Sequence, residues 1–201
     1  MDEKILCFES KLLGKYSGSS SVFYDPGLWR RIRNNLQPLP RSAVEDDPKY
    51  KQLVVYVVME CNGRYLAYRR NRGDKRLEGM CSIGIGGHVN ADDEEVSGSP
   101  EELILRAAER EISEEIKIEP HGDPEVIGFI NDDSNPVGEV HFGILLKQRV
   151  LKPVAEPKTE GIGDLEFLSL PELERRSQDF ENWSRLAISF IRGNGRCGDM
   201  R

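Results

Sequence analysis

The stretch KQLVVYVVMECNGRYLAYRR, residues 51–70, allows few ways of folding. Two runs rich in Val, Leu and Tyr flank Cys61-Asn62-Gly63. Asn and Gly both accept the left-handed backbone of a tight turn, so an Asn-Gly step between such runs is a strong hairpin signal. Strands are therefore expected at 51–60 and 64–70. A lone hairpin is marginal in water and needs more strands and a covering layer. MCSIGIGGHV (80–89), EVIGFIND (125–132), EVHFGILLKQRV (139–150) and DLEFLSL (164–170) read as those strands. A helix is expected over 100–116, where Ser99 with Glu102 makes a capping box, Pro100 suits the first helical position, and Leu105, Ala108, Ile112 and Ile116 recur on one face. A second amphipathic helix is expected over about 171–192. Strands mixed with two helices around one sheet indicate an α/β sandwich.

The length of 201 residues suits one domain with an extension. YSGSSS (16–21) and QPLPRSAVEDDP (37–48) read as turns or linkers, and VFYDPGLWRRIRNNL between them as a strand end and a short helix. Residues 1–50 are thus expected to be an N-terminal extension packed on a domain over 51–192, with 193–201 a flexible tail. The apolar and aromatic side chains of VFYDPGLW need burial, so the extension is expected to help form a homodimer.

The net charge of -7 argues against a polymeric nucleic-acid partner, which requires clustered positive charge. It leaves open a small phosphorylated substrate, provided metal ions supply the positive charge. Cys7, Cys61, Cys81 and Cys197 are scattered without a CxxC pair, as in free thiols of a reducing compartment. The start, MDEKILCFESKLLG, is not a signal peptide, and no run reaches the roughly 20 apolar residues of a membrane span. A cytoplasmic protein without a membrane partner is expected.

REISEEI, residues 110–116, is the least economical stretch for a helix. Glu111, Glu114 and Glu115 fall within an arc of roughly 100° beside the apolar stripe, and like charges at this spacing cost a few tenths of a kcal/mol per pair. Two readings relieve the repulsion: a solvated acidic face, or a hard divalent cation such as Mg²⁺, which takes oxygen ligands and shares phosphate oxygens with its substrate. GIGGHV lies ahead of the helix, and Gly84, Gly86 and Gly87 let backbone approach a ligand closely.

Together these residues read GGH…E-x7-REISEEI-x-I, which resembles the Nudix (MutT-like) hydrolase signature G-x5-E-x7-REU-x-EE-x-GU, with U a bulky apolar residue. Glu102, Arg110, Glu111, Ile112, Glu114, Glu115 and Ile118 fall in register. Two departures stand out. Gly87 lies fifteen residues before Glu102 where the signature has six, an insertion of nine, and loops absorb such insertions at small cost. The late glycine is Lys117, which costs about 1 kcal/mol if that position needs a positive φ. The resemblance covers roughly 52–192 and leaves residues 1–50 outside; among members it is similar to bacterial proteins with a SIGIGGH stretch.

The resemblance implies an α/β/α sandwich on a mixed sheet. It implies a hydrolase that uses Mg²⁺ or Mn²⁺ to cleave a phosphoanhydride bond in a nucleoside diphosphate linked to another group. The implied metal ligands are Glu111, Glu114, Glu115 and the carbonyl of Gly86, with Arg110 orienting a carboxylate and Glu102 bracing the loop. TEGIGDLEFLSL resembles the late loop that supplies a further carboxylate, making Glu160 the candidate ligand or general base, with Glu139 in GEVHFG as runner-up. Gly87, His88 and Arg70 are candidate substrate contacts; a lone loop histidine such as His88 is more often merely hydrogen-bonded, and the basic run Arg69, Arg70, Arg72, Lys75, Arg76 also reads as a solvated loop. Trp29, Trp183 and the tyrosines offer surfaces for a base, with none singled out.

Two rivals share the same fold. Isopentenyl-diphosphate isomerase has the Nudix fold but needs a Cys just before its Gly-His and a GEHE-like strand; here Gly86 holds that place, Cys81 lies five residues earlier, and the later strand reads GEVH. A non-catalytic nucleotide-binding regulator is expected to carry a broken carboxylate stripe, whereas this one is intact. Three substrate marks are absent: the SQPWPFPxS stretch of NADH pyrophosphatases, a Tyr near Ser134-Asn135-Pro136, and a Pro where Asp133 stands.

Overall fold

The computed structural model describes residues 2–71, 77–91 and 99–195. Arg72, Lys75, Arg76, most of the inserted loop, Cys197 and most of the expected flexible tail lie outside the described residues. The elements run β1 (Lys4–Glu9), a 3-10 segment (Ser10–Tyr16), β2 (Ser20–Phe23), α1 (Pro26–Arg33), β3 (Gln37–Pro40), α2 (Arg41–Val44), β4 (Tyr50–Cys61), β5 (Arg64–Arg70), β6 (Cys81–Ser82) and β7 (Gly84–His88). They continue with α3 (Pro100–Glu115), β8 (Ile116–Lys117), β9 (Glu125–Asp132), α4 (Pro136–Val140), β10 (His141–Arg149), β11 (Glu156–Pro157), β12 (Ile162–Ser169), α5 (Leu170–Arg175), a 3-10 turn (Ser177–Asp179) and α6 (Asn182–Gly195). The fold is of the expected α/β class on a mixed sheet, with strand order β12-β5-β4-β10-β9-β2 and β1, β3, β6 and β7 branching from it.

The chain divides into two compact units, one of residues 1–56, 86–109 and 126–145, the other of 57–85, 110–125 and 146–201. In the first, β1 pairs antiparallel with β3 (Ile5 opposite Leu39) and with β4 (Cys7 opposite Gln52), and β2 pairs with β9 (Val22 opposite Ile130). β1 escapes a sequence reading because Ile5, Leu6, Cys7 and Phe8 are all buried and show no alternation. The segment 37–48 is not a linker: Gln37–Pro40 is a strand and Arg41–Val44 a helical turn, because Leu39 packs on the buried cluster of Ile5, Cys7 and Val44. Pro38 and Pro40 fit there because β3 has a neighbour on one side only. α1 is where the sequence places it, with Pro26 in its first turn and the Asp25 carboxylate accepting from the Leu28 N–H at 2.9 Å.

One further boundary moves in this unit. The Asn135 side chain accepts from the Gly138 N–H at 3.0 Å with Pro136 behind it, so 136–140 form α4 and the strand begins at His141. Along α3, which runs from this unit into the second, Leu103, Ile104, Ala107, Ala108 and Ile112 are the buried residues, a broader stripe than expected, and Leu105 is half-buried. At its N-terminus the Ser99 hydroxyl accepts from the Glu102 N–H at 3.3 Å.

In the second unit the hairpin forms as expected. Asn62 and Gly63 take φ of 50° and 76°, and Glu60 stands opposite Tyr65. β12 lies antiparallel to β5 with a bulge between Gly163 and Glu166, where Asp164 takes φ 50°. The expected helix over 171–192 is broken into α5, a 3-10 turn and α6. Ser169 and Glu172 form a reciprocal capping box at α5. A second start follows because Phe180 is extended and bridges to Cys81, and the buried Glu181 carboxylate accepts from the N–H groups of Trp183 and Ser184. The first expected helix also stops one residue early, since Ile116 belongs to β8.

Candidate active site

The acidic stripe lies on the part of α3 that belongs to the second unit. Arg110 serves two of its three acids: Nη1 is 2.6 Å from Glu111 and 3.7 Å from Glu114. The Glu111 side chain is only 12% exposed, whereas Glu114 is 58% exposed. Burial pushes the Glu111 carboxyl above its ordinary range; Arg110 pulls it down, and Glu114 and Glu115 push it up again. One guanidinium thus meets a cluster that holds more negative charge than it can neutralise.

Glu115 is held from another direction. Its Oε2 accepts from the Thr159 hydroxyl at 2.6 Å. Thr159 follows Lys158, whose backbone N–H donates to the Glu115 carbonyl at 2.9 Å and whose Nζ donates to the Ser113 carbonyl at 2.6 Å. Glu160 is therefore the next residue after a contact to the stripe, and the Gly161 carbonyl accepts from the Asn71 N–H at 2.9 Å. No spacing along the chain points to Thr159 and Lys158, because their contacts arise from the pairing of β8 with β11. Arg70 is also on this side: its Nη1 lies 3.3 Å from the Tyr68 hydroxyl, which donates to the Gly84 carbonyl at 2.8 Å. The Tyr68 phenol is pushed up by burial, is lowered by Arg70, and also senses Glu181 and Glu115.

The remaining candidates belong to the first unit. A Cβ on Gly86 would stand 2.2 Å from the Val55 carbonyl oxygen, so the close approach that demands glycine there is to the neighbouring strand. His88 Nε2 lies 2.8 Å from Gln52 Oε1 and 3.2 Å from His141 Nε2, while His141 Nδ1 lies 2.6 Å from the Val137 carbonyl. Burial lowers the His141 pKa. Glu102 is exposed in the first turn of α3, and Glu139 is exposed on α4 rather than on a strand.

Among the described residues, no three His, Cys, Asp or Glu side chains converge as a preformed metal site. The donor chemistry of the stripe nevertheless fits a hard cation: its side-chain donors are all carboxylate oxygens, and Glu111 is desolvated with its charge only partly met. A cavity of about 380 Å³ in the same unit is lined by Ala67, Arg69, Cys81, Asp164, Glu166 and Arg176. Its arginines already pair with Asp164 and Glu166, and none of the proposed site residues lines it. Cys7, Cys61 and Cys81 are free and buried, and burial pushes the Cys7 thiol up to about 12.

No family model matches the chain. Protein YmaB of Bacillus subtilis (strain 168) is 31% identical over 208 residues, covering 95% of this chain and 98% of YmaB. The Nudix-class protein Tm1382 matches in structure with a TM-score of 0.78 and 27% identity, covering 94% of this chain and 98% of its own. The chain belongs to the Nudix family. Coverage this high takes in most of residues 1–50, which the Nudix signature alone does not reach. A Nudix hydrolase from Nitrosomonas europaea, at 19% identity and a TM-score of 0.52, shares the fold over 72% of this chain and 90% of its own. The Nudix stripe Arg110, Glu111, Glu114 and Glu115 stands complete on α3.

Proposed function

We propose that the chain is a hydrolase that cleaves a phosphoanhydride bond in a nucleoside diphosphate linked to another group, with Mg²⁺ or Mn²⁺ as cofactor. The observation that carries this reading is the cluster of three carboxylates on one helix end, desolvated at Glu111 and held by Arg110, in a member of the Nudix family. Glu111, Glu114 and Glu115 would hold the cation. When bound, the cation supplies positive charge to the phosphoryl oxygens and acidifies a water.

The chain's own groups do the rest. Arg110 orients Glu111 by a charge-assisted hydrogen bond. Glu160, one residue from the Thr159 contact, is the candidate acceptor of the attacking water's proton. Arg70, Gly87 and His88 are the candidate substrate contacts, and Glu102 a loop brace. Residues 1–50 are read as the extension of a domain over 51–192 that supports a homodimer, with Tyr24, 62% exposed, on its surface; sedimentation of a chain starting near residue 50 with unchanged mass and stability would remove that idea. A cytoplasmic location suits the free thiols, and among the described residues no helix is long and apolar enough to cross a membrane.

The test is a Mg²⁺-dependent hydrolysis screen over nucleotide sugars, dinucleotides and nucleoside triphosphates, with Glu115→Gln beside the parent. Cleavage that requires the metal and collapses in the variant supports the reading. Turnover that survives in Glu114→Gln and Glu115→Gln alike makes the stripe a solvated face and the proposed chemistry wrong. Binding of nucleotides without turnover would favour the regulator, and isomerisation of isopentenyl diphosphate the isomerase.

A further inference from the structure

We propose that Thr159 is a positioning residue for Glu115, acting through a strap over Glu156–Glu160 that closes the end of the carboxylate helix; the inference rests on the metal reading above. The signature places a glycine where Lys117 stands, and a glycine at a helix end typically supplies left-handed backbone through which the last carbonyls are satisfied. Among the described residues the non-glycine positions with positive φ are Asn62 and Asp164, so Lys117 does not take that conformation. The helix instead passes directly into β8, and β11 pairs with it antiparallel, Pro157 opposite Ile116 and Glu156 opposite Lys117.

The strap continues past that ladder onto the helix itself. The Lys158 N–H donates to the Glu115 carbonyl at 2.9 Å and Lys158 Nζ to the Ser113 carbonyl at 2.6 Å, so two carbonyls that a helix end leaves open are met from outside. A cation at this end also complements the helix dipole. With the backbone fixed, the next side chain, Thr159, reaches the Glu115 carboxylate at 2.6 Å. The residue after that is Glu160, and the strap is pinned beyond it by the Gly161 carbonyl accepting from Asn71 and by Gly163, where a Cβ would meet Asn71 Nδ2 at 2.5 Å. One short segment therefore orients an acid of the stripe and fixes the register of the proposed base.

A carboxylate held by a hydroxyl donor presents its other oxygen in a set direction, and loss of such outer partners typically weakens metal binding or activity about 10–100-fold. The contact is exposed, so the lower end applies. The test measures Mn²⁺ binding to the full chain by electron paramagnetic resonance of the free ion, without substrate, for Thr159→Val, Thr159→Ser and Glu115→Gln. Thr159→Val is expected to weaken Mn²⁺ binding roughly 10-fold, Thr159→Ser to stay within about 2-fold of the parent, and both to melt near the parent when metal-free. Parent-like affinity in Thr159→Val, or equal loss in Thr159→Ser, overturns the positioning role while Glu115→Gln still loses the ion. If Glu115→Gln also binds Mn²⁺ like the parent, the metal reading itself fails and the positioning role falls with it.

Discussion

Two polar clusters treat charge in opposite ways. In the first unit Lys51 is 1% exposed, yet its Nζ donates to Asp133 Oδ1 at 2.5 Å and to the Gly138 carbonyl at 2.7 Å. Asp132, fully buried beside it, accepts from the Ser20 and Ser134 hydroxyls and from Asn135 Nδ2. Burial lowers the Lys51 pKa, and Asp133, Asp132 and Glu139 pull it back up in part. At the helix end in the second unit three acids share Arg110 and the Thr159 hydroxyl, and the Lys158 ammonium sits on the Ser113 carbonyl rather than on a carboxylate. The first cluster is a structural joint: the ammonium and both aspartates have hydrogen-bond partners within it. The second leaves negative charge over, and leftover charge on a half-buried surface is what a ligand can use.

The comparison breaks most visibly at Lys51. Lys51→Met takes the cation from the Asp133 carboxylate; removing one partner of a buried pair costs about 3–5 kcal/mol, and the 17% exposure of Asp133, with its bonds from Gly18 and Asn131, places this case at the low end. The melting temperature should fall by roughly 6–12 °C, while kcat of the folded fraction at low temperature stays near the parent. A normal melting temperature would mean that the cluster is not the joint described.

At the helix end the expected signature is reversed. Glu114→Gln and Glu115→Gln should each lower metal-dependent kcat by about 10²-fold or more, with the fold intact by circular dichroism. A variant that loses stability in proportion to activity would place these acids with the structural cluster instead.

The third effect depends on pH. His141 is buried, which holds its pKa below the ordinary 6.5, against the upward pull of its Val137 contact and Glu45 and with Arg41 and Lys51 adding to the fall. A depressed histidine pKa means that the neutral ring stabilises the fold above the unfolded value, and that this contribution is lost as pH drops through the lower folded value. Melting temperature should therefore decline on acidification below about 6.5, and His141→Gln should flatten that decline. An unchanged slope in the variant would assign the acid sensitivity to other groups.

The smallest effect is read without metal. Glu114→Gln removes one repulsion from the stripe and should raise the metal-free melting temperature by about 1 °C, from a few tenths of a kcal/mol. With Mn²⁺ present the sign should invert, because the parent gains stability from the ion and the variant gains less.

Much of this was legible from local rules. The Asn62-Gly63 turn, α1, the start of α3 and the strand over Glu125–Asp132 follow from turn chemistry, caps and apolar runs, all of which act over a few residues. The acids of the stripe were legible because their own repulsion marks them. What escaped depends on contacts distant along the chain. β1 is buried on both faces and has no period, and Leu39 turns a proline-rich stretch into a strand only because Ile5 and Cys7 await it. The broken C-terminal helix follows from Phe180 meeting Cys81. Thr159 lies 44 residues from the acid it orients, and no periodicity spans such a gap.

The pair His88 and His141 has a consequence in proton bookkeeping at the level of tautomers. The Val137 carbonyl only accepts, so the 2.6 Å contact places the hydrogen of neutral His141 on Nδ1 and leaves Nε2 a lone pair. His88 Nε2 faces that lone pair at 3.2 Å and the Gln52 oxygen at 2.8 Å, and Gln52 is itself anchored by its amide nitrogen on the Val44 carbonyl. Neither neighbour can donate, so His88 must carry its own hydrogen on Nε2 and share it between two acceptors. The two rings are thereby fixed as opposite tautomers, one protonated at Nδ1 and the other at Nε2. A second hydrogen on His141 would set two N–H bonds head to head, so the pair holds one bridging proton and resists a second.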